Sequence, residues 1–329
     1  MIKAPTVLAV CGGVGGAKLA LGLQRVLPPG ELAVLVNTGD DFTHLGLRIC
    51  PDLDTVLYTL AGVVHPQQGW GRAEETFGFM SELRQQGGPE WFLLGDRDLV
   101  VHVERTRRVG SGERLTSVMA DLAQRFGVRT RILPMADSEV ATLLNTDAGP
   151  LEFQHYFVRL RCEPQVRDLA YAGAPQARPT DELTAVLRST ALRAIVICPS
   201  NPFLSIDPVL AVPGMIAALR AARVPIVAVS PLIGGRAVKG PTAKIMRELG
   251  LDVGTPTILR HYAGLIDGLL VDTGDVDDVA TREAAASAGV RVVGEPTLMR
   301  SSADRVRVAE AALALADALH PQVSARKAS

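Results

Sequence analysis

The chain has few aromatic residues and almost no charge imbalance. Aromatic residues make up 4% of its 329 residues, and 34 basic residues stand against 35 acidic ones. Nucleic-acid surfaces need basic patches and stacking aromatic side chains, and acidic membranes attract basic segments. The composition therefore argues against a nucleic-acid partner and against a membrane partner.

Cysteine and long apolar runs are also scarce. The 4 cysteines lie far apart and form no C-x-x-C pair, which argues against disulfides and a zinc site. No run approaches the roughly 18 apolar residues of a membrane-spanning helix, and no signal-peptide stretch precedes the first glycines. We expect a cytoplasmic protein. His44 and His102 lie near loops of interest, but a surface or core role is expected for each.

A strand, a glycine-rich turn and a helix follow one another near the N-terminus. Residues 6–11 are apolar and β-branched, and helix-favouring residues begin at Ala17. Glycines let the backbone approach a ligand, and the N–H groups at a helix N-terminus favour an anion. We therefore expect a phosphorylated ligand here, with a tight turn that binds nothing as the alternative. The residues concerned are Gly12, Gly13, Val14, Gly15 and Gly16.

This turn departs from both common phosphate fingerprints. Lys18 occupies the last glycine position of G-x-G-x-x-G, and Leu19 stands where a P-loop has Ser or Thr. The pattern predicts a βα unit without naming the nucleotide.

The rest of the chain alternates between strand and helix patterns. This predicts an α/β fold: a Rossmann-like, mostly parallel sheet with helices on both faces and a small α+β insertion. Residues 1–135 and 189–320 would form the core, residues 136–188 an insertion or cap, and residues 321–329 a flexible tail. A short strand is expected at residues 91–94, and short strands and irregular pieces are expected at residues 140–145 and 152–161. The last helix is expected to end near residue 320.

Acidic side chains follow the second predicted strand, residues 32–36. Asn37 and Thr38 lead into Asp40 and Asp41, and Asp52 and Asp54 follow at the start of a helix. Carboxylates beside a phosphate favour a bridging cation, and hard oxygen ligands suit Mg²⁺. Two alternatives stay open. Asp52 and Asp54 could simply cap the helix, or Asp40 and Asp41 could bind a ribose, as in a NAD(P)-dependent dehydrogenase.

Three more polar segments follow predicted strands. A turn at residues 95–98 contains Asp96 and Arg97, and Ser200, Asn201 and Pro202 follow the strand at residues 194–198. Arg236, Lys239 and Lys244 would supply a second phosphate contact. Each segment is expected at the ligand-binding edge of the sheet, although an ordinary turn is the alternative for residues 95–98 and 199–202.

Taken in order, these motifs resemble the 2-phospho-L-lactate transferases that build the deazaflavin coenzyme F-420. The matching segments are GGVGGAKLALGL, VNTGDDF, PDLDTVLYTLAG, GWGRAEETF, LGDRDLVVHVERT, LTSVMADLAQRFGV, ILPMADSEVATLL, PSNPFLSIDPVL and AVSPLIGGRAVKGPTAKIM, with a weaker LMRSSADR near the C-terminus.

The resemblance implies a Mg²⁺-dependent transferase that works as a homodimer. The acceptor would be the ribityl hydroxyl of the deazaflavin precursor Fo. The donor would be a three-carbon acid activated by guanosine diphosphate, and GMP would leave; the acid stays open among phospholactate, its enolpyruvyl analogue and phosphoglycerate. The metal and catalytic positions fall on Asp41 and Asp54.

The same resemblance distributes the substrates over the sheet edge. The nucleotide would lie along the glycine turn and residues 200–202, and the deazaflavin near Asp54, residues 91–97 and Trp70. The implied substrate contacts are Gly12, Gly13, Val14, Gly15, Gly16, Lys18, Asn37, Thr38, Asp54, Leu93, Gly95, Asp96, Arg97, Ser200, Asn201 and Pro202.

A non-catalytic alternative has the same fold. Some related proteins resemble nucleotide-sugar-binding regulators whose second-strand loop reads A-D-D-G-G-S-S-G. Here that loop is N-T-G-D-D-F, and the segments at residues 51–55 and 95–98 are complete. These features favour the transferase.

Overall fold

A computed structural model describes residues 4–238 and 240–326, so the first three residues, Lys239 and the last three residues lie outside the described chain. The strands are β1 (Val7–Cys11), β2 (Leu32–Val36), β3 (Phe42–His44), β4 (Leu47–Ile49), β5 (Arg131–Pro134), β6 (Ala141–Thr146), β7 (Gly149–Glu152), β8 (Val166–Ala172), β9 (Ala194–Ile197), β10 (Ile226–Val229), β11 (Leu232–Ile233), β12 (Arg236–Ala237), β13 (Gly268–Val271) and β14 (Arg291–Gly294).

The helices are α1 (Gly13–Val26), α2 (Pro51–Ala61), α3 (Gly78–Gln85), α4 (Asp96–Gly110), α5 (Leu115–Arg125), α6 (Asp181–Leu187), α7 (Asp207–Leu210), α8 (Met215–Ala221), α9 (Thr242–Glu248), α10 (Thr255–His261), α11 (Val279–Ala288) and α12 (Ser302–Arg326).

A 7-stranded parallel sheet runs through the molecule in the order β14-β13-β10-β9-β1-β2-β5. Val7 of β1 lies opposite Leu32 of β2 on one side and Ala194 of β9 on the other. The central strands are buried along their whole length. Burial on both faces explains why they are continuous apolar runs, and the predicted Rossmann-like α/β fold is confirmed.

Helices cover both faces of this sheet. Leu8 and Val10 face one core, which also contains residues of α6, α8, α9, α10 and α11. Val7 and Ala9 face the other core, together with residues of α1, α2, α5 and α12. The alternation along β1 follows from the two-residue period of a strand.

Residues 141–172 form a sheet of their own, in which β6 pairs antiparallel with β7 and β8. It docks on the core through buried Leu144 and Val166. Of the short strands and irregular pieces expected at residues 152–161, the strand ends at Glu152, and a π-helical turn occupies His155–Arg159. Phe153 and Phe157 stack at 5.3 Å between ring centroids, an i,i+4 contact typical of helical backbone.

The first and the last helix, α1 and α12, are longer than expected. Helix α1 begins at Gly13 and not at Ala17, and polar groups from other loops accept the N–H groups of Gly12 and Gly13 at its start. Helix α12 runs to Arg326, past the end expected near residue 320, and Val323 is still buried. The described part of the tail is therefore helical.

The strand expected at residues 91–94 is wrong, because these residues form a loop. The following turn is the start of helix α4, and its cap comes from a distant residue. The Glu75 carboxylate accepts the N–H groups of Arg97 at 2.8 Å and Asp98 at 2.9 Å. Asp96 in turn accepts the N–H groups of Gly78 and Phe79, at the start of α3.

In the described chain, no single helix is long and apolar enough to cross a membrane. One bent pair, Pro202–Leu210 with Met215–Ala221, satisfies the criteria of length and composition, with an angle of 80° between its parts.

Candidate functional site

The chain changes direction across the sheet between β1 and β9. From β1 the connection leads outward to β2, whereas from β9 it leads to β10 on the other side. In doubly wound sheets, ligands bind at the carboxyl end of the strands at this switch point. Here Ser200 joins the two loops, since its hydroxyl donates to the Gly12 carbonyl at 2.8 Å and accepts the Gly12 N–H at 3.1 Å.

The glycines of the turn are required by the protein's own packing. A Cβ atom at Gly15 would lie 2.4 Å from the carbonyl oxygen of Pro199, and one at Gly16 would lie 2.6 Å from the Ser200 hydroxyl. At Gly12 it would lie 2.3 Å from the Asp52 carboxylate, and Gly13 has a positive φ of 63°. Close approach between loops, and not only approach to a ligand, therefore explains this glycine-rich sequence.

The N-terminus of α1 is partly capped by protein groups. The first four N–H groups of a helix lack intrahelical partners. The Ser200 hydroxyl accepts the N–H of Gly12, and Asp52 Oδ1 accepts the N–H of Gly13 at 2.6 Å. Among the described residues, the hydrogen bonds leave the N–H groups of Val14 and Gly15 without a partner. The expected anion site is thus reduced to these two groups.

Lys18 points to another part of the molecule. Its Nζ atom donates to the carbonyl oxygen of Met299 at 3.1 Å. This contact ties α1 to the segment that precedes α12. The structure therefore gives Lys18 a scaffold contact, and substrate binding by this residue stays a prediction.

The predicted acidic cluster divides into two groups. In the first, the side-chain amide of Asn37 donates to Asp40 Oδ1 at 3.0 Å and to Asp52 Oδ2 at 2.9 Å. Burial, followed by the nearby Asp52 charge, raises the pKa of Asp40 well above its usual value. Burial also raises the pKa of Asp52 to about 6.

The second group contains Asp41 and Asp54, each beside an arginine. Asp41 Oδ2 accepts the Cys50 thiol at 3.0 Å and lies 3.5 Å from Arg48, while its buried Oδ1 has no partner among the described residues. Burial raises the pKa of Asp41 to about 7, although Arg48 opposes the rise. Because Asp54 raises and Arg105 lowers the pKa of Asp41, the two carboxylates share one electrostatic environment.

Asp54 is held on both oxygens by a fully buried arginine. Arg105 Nη1 donates to Asp54 Oδ2 at 3.1 Å, and Nη2 donates to Oδ1. Burial raises the pKa of Asp54 and the Arg105 charge opposes this. A cation therefore fits Asp41, which has an open buried oxygen, better than Asp54, which Arg105 already neutralises.

Two residues of this region, His102 and Tyr58, were not expected in a site, and they contact Asp98 of the predicted turn at residues 95–98. His102 lies 3.6 Å from Asp54 Oδ2 through Nδ1 and 3.5 Å from Asp98 Oδ1 through Nε2, and Tyr58 donates to the same Asp98 oxygen. Asp54, Asp98 and His102 each bring one potential ligand atom to within 4.8 Å of the others. Asp98 and His102 are four residues apart, so they lie on the same face of a helix. A helix assignment for residues 95–98 would therefore have predicted that these two side chains lie close together.

Residues 91–97 flank the site as a loop and a helix start. Trp91 packs into an aromatic cluster, 5.1 Å from His44 and 4.4 Å from His155 between ring centroids. Leu93 is 52% exposed. Arg97 pairs with Glu74 at 3.4 Å, whereas Asp96 is used in capping α3.

Gly95 allows Glu75 to approach, since a Cβ there would lie 2.2 Å from the Glu75 carboxyl carbon. Contacts of Leu93, Gly95, Asp96 and Arg97 with a substrate remain predictions.

The loop after β9 offers two further polar groups near the switch point. Asn201 Oδ1 accepts the N–H groups of Phe203 and Leu204, which leaves its Nδ2 atom without a partner among the described residues. Pro202 begins the short helical turn that follows. The Thr38 hydroxyl, at the end of β2, is buried and equally unpartnered within the described chain.

The second phosphate contact expected near residues 230–244 is not supported at Lys244. Its Nζ atom donates to the carbonyl oxygen of Pro164 at 2.8 Å and pairs with Glu248 at 2.5 Å. Lys244 therefore ties α9 to the sheet of residues 141–172. Arg236 is exposed on the β11–β12 hairpin.

The fold and this edge together define a Rossmann-like α/β protein with a cluster of polar side chains at the switch point. A model of one protein family, 2-phospho-L-lactate transferase CofD, matches residues 7–314. The chain therefore belongs to the CofD family of transferases, as its motifs predicted, and not with the dehydrogenases.

Curated relatives match over nearly the whole chain. A phosphoenolpyruvate transferase of Streptomyces griseus is 40% identical over 317 residues, which cover 94% of this chain and 98% of the relative. One of Streptomyces avermitilis is 41% identical over 318 residues, with the same coverage.

Among solved structures, a UPF0052 family protein of Bacillus halodurans superposes with a TM-score of 0.61 at 17% identity. The match covers 95% of this chain and 100% of that one, and it supports the fold alone.

Proposed function

We propose that this protein transfers a phosphoenolpyruvyl group from a guanosine-diphosphate-activated donor to the ribityl hydroxyl of Fo, releasing GMP, in coenzyme F-420 biosynthesis. The observation that carries the proposal is membership of the CofD family across residues 7–314. Relatives near 40% identity are named phosphoenolpyruvate transferases, which favours the enolpyruvyl donor among the three acids. The acting form would be a homodimer.

The proposed reaction breaks the phosphoanhydride bond of the donor and forms a phosphate ester bond to Fo. The ribityl oxygen attacks the phosphorus that carries the three-carbon acid, and the bond from this phosphorus to the GMP oxygen breaks. The hydroxyl proton passes to a carboxylate of the sheet edge and then to solvent. Such transfers depend on positioning and on stabilising charge at the phosphoryl oxygens.

The residues at this edge of the sheet would have separate roles in the proposed reaction. The open N–H groups of Val14 and Gly15 would bind donor phosphate at the start of α1. Ser200 would hold the two loops in register through its hydrogen bonds to Gly12. Asp54 and Arg105 would position the start of α2 against α4.

Mg²⁺ is proposed as the cofactor, with the unpartnered Oδ1 of Asp41 as the principal ligand and Asp54 as the second. When bound, Mg²⁺ would neutralise charge on the phosphoryl oxygens. We expect excess EDTA to abolish Fo consumption and added Mg²⁺ to restore it, measured by chromatography over a time course. Unchanged Fo consumption in excess chelator would contradict the metal role and leave the transferase assignment standing.

A further inference from the structure

A short hairpin, residues 63–73, stands beside the glycine turn. Val64 and Arg72 form an antiparallel bridge at its base, and His65 exchanges backbone hydrogen bonds with Gly69 and Gly71. Gly69 and Gly71 have positive φ angles of 77° and 65°. Between them, Trp70 is 53% exposed at the tip.

The base of this hairpin is fixed to the protein body. The Arg72 guanidinium lies over the rings of Tyr58 at 5.8 Å and Phe126 at 5.2 Å from the centroids. Cation–π contacts of this kind are attractive at such distances. The base of the hairpin is thus held against α2 and against the residue that follows α5.

The tip of the hairpin touches the proposed phosphate site. A Cβ at Gly69 would lie 2.7 Å from Cγ1 of Val14, so the glycine lets the tip close onto the first turn of α1. Val14 carries one of the two open N–H groups of that turn. Trp70 is therefore the next residue after Gly69, which contacts the first turn of α1.

The exposure of Trp70 has no packing explanation among the described residues. The other tryptophan, Trp91, is packed among Phe42, His44, Phe92 and His155. An exposed indole held on this hairpin can bind a flat ring of a ligand by stacking. Stacking on an aromatic face is strong, and it accepts many kinds of flat ring.

We propose that Trp70 is a stacking platform for a flat heteroaromatic ring of a substrate that binds beside the first turn of α1. The inference rests on the proposed function, in which two substrates carry such a ring: the guanine of the donor and the deazaflavin of Fo. Both rings offer the same chemistry to the indole, and the experiment distinguishes them.

The first measurement uses Trp70 as its own reporter. In the Trp91→Phe variant, Trp70 is the remaining tryptophan, since the chain contains 2. GMP, GDP and Fo are titrated separately. We expect saturable quenching by the ligand whose ring stacks, beyond the inner-filter loss seen with free tryptophan. A flat response to all three would contradict the platform.

The second measurement compares Trp70→Ala with Trp70→Phe by calorimetry. Because stacking on an aromatic side chain contributes about 1–3 kcal/mol per base, the alanine variant should bind the stacking ligand at least about fivefold more weakly. The phenylalanine variant should stay within about threefold of wild type. A matched control is Val279→Ala, which truncates an exposed apolar residue on α11.

The outcomes separate this inference from the proposed function. If wild type makes the Fo adduct but Trp70→Ala binds GMP, GDP and Fo as wild type does, the platform is wrong and the transferase stands. If no adduct forms but Trp70→Ala still loses nucleotide affinity, the platform stands and the reaction is wrong.

Discussion

Asp41 and Asp54 are the two carboxylates expected to act together. They differ in how many of their oxygens have a hydrogen-bond partner in the protein. Both oxygens of Asp54 are bound by Arg105, whereas Asp41 keeps one buried oxygen open. Removing the Asp54 charge would leave a fully buried guanidinium without its partner, which typically costs about 3–5 kcal/mol. Substitution at Asp54 therefore tests stability and chemistry at once, while substitution at Asp41 tests the chemistry.

Asp41→Asn should lower the turnover of Fo by at least about tenfold, roughly 1.4 kcal/mol of barrier. The amide keeps the size of the side chain and one acceptor for the Cys50 thiol, so the fold should persist. Steady-state kinetics and a thermal melt check both points. Asp317→Asn, which removes an exposed carboxylate paired with Arg193, is the control. Wild-type turnover in Asp41→Asn would remove this residue from the site.

The buried acids also predict how stability depends on pH. Burial raises the pKa of Asp41 to about 7 and that of Asp52 to about 6, against about 3.9 in the unfolded chain. Between about pH 4 and 7 the folded state thus holds more protons than the unfolded state. The free energy of unfolding must then fall as the pH rises through this window.

We expect the Tm of the ligand-free protein to decrease from about pH 5 to pH 8, and to decrease less in Asp41→Asn. Circular dichroism melts at constant ionic strength measure this. Acids with a lowered pKa, such as Asp304, finish their titration below this window. A Tm that rises over the same range would show that the two carboxylates are ionised without penalty in the folded protein.

Sequence reasoning at the residue scale found the acids but not their partners. Asp41 and Asp54 stand out because they follow a strand and a proline-led helix start. Arg48, Arg105 and His102 come from β4 and α4, and nothing local in the sequence shows that they turn towards the same carboxylates. Only the packing of α4 against β4 brings them there.

At the scale of elements, the β1–α1 turn is shaped by contact between loops. Gly15 lies within a helix, where alanine normally increases stability. A Cβ there would nevertheless lie 2.4 Å from the carbonyl oxygen of Pro199. Backbone atoms cannot rotate away as a flexible side chain can, so the helix or the loop after β9 must shift.

Gly15→Ala should therefore lower the free energy of unfolding by about 1–3 kcal/mol, as overpacking does. Gly110→Ala is the matched control, since Gly110 is also helical and no atom lies within 4 Å of its Cβ position. That variant should show no loss, and a gain of up to about 1 kcal/mol. Urea unfolding of both proteins makes the comparison. Equal stabilities would contradict the close contact between Gly15 and Pro199.

The elements that sequence reasoning missed have non-local causes. Helix α4 begins at Asp96 because Glu75, more than twenty residues earlier, caps it, and Asp96 caps α3 in return. Residues 91–94 have the aromatic, apolar composition of a strand, but Trp91 packs on His44 and His155 and finds no strand partner. Local composition does not reveal either arrangement.

For the whole molecule, the parallel sheet was the most predictable feature. Strands buried on both faces are continuous apolar runs, and β1, β2 and β9 lie where such runs predict them. The strand order also places Gly12 and Ser200 side by side at the switch point. Substrate identity is less accessible, because the acid of the donor differs from its analogues by few atoms.

The measurement that tests the central claim most directly is an end-point mass-spectrometric assay. Purified protein, Mg²⁺ and Fo are mixed separately with the enolpyruvyl, lactyl and glyceryl forms of the guanosine diphospho-acid donor. We predict equimolar GMP and Fo adduct, formed fastest from the enolpyruvyl donor. Equimolar products from another donor would correct the acid alone. No adduct with any donor, together with tight binding of a nucleotide sugar, would contradict the transferase assignment.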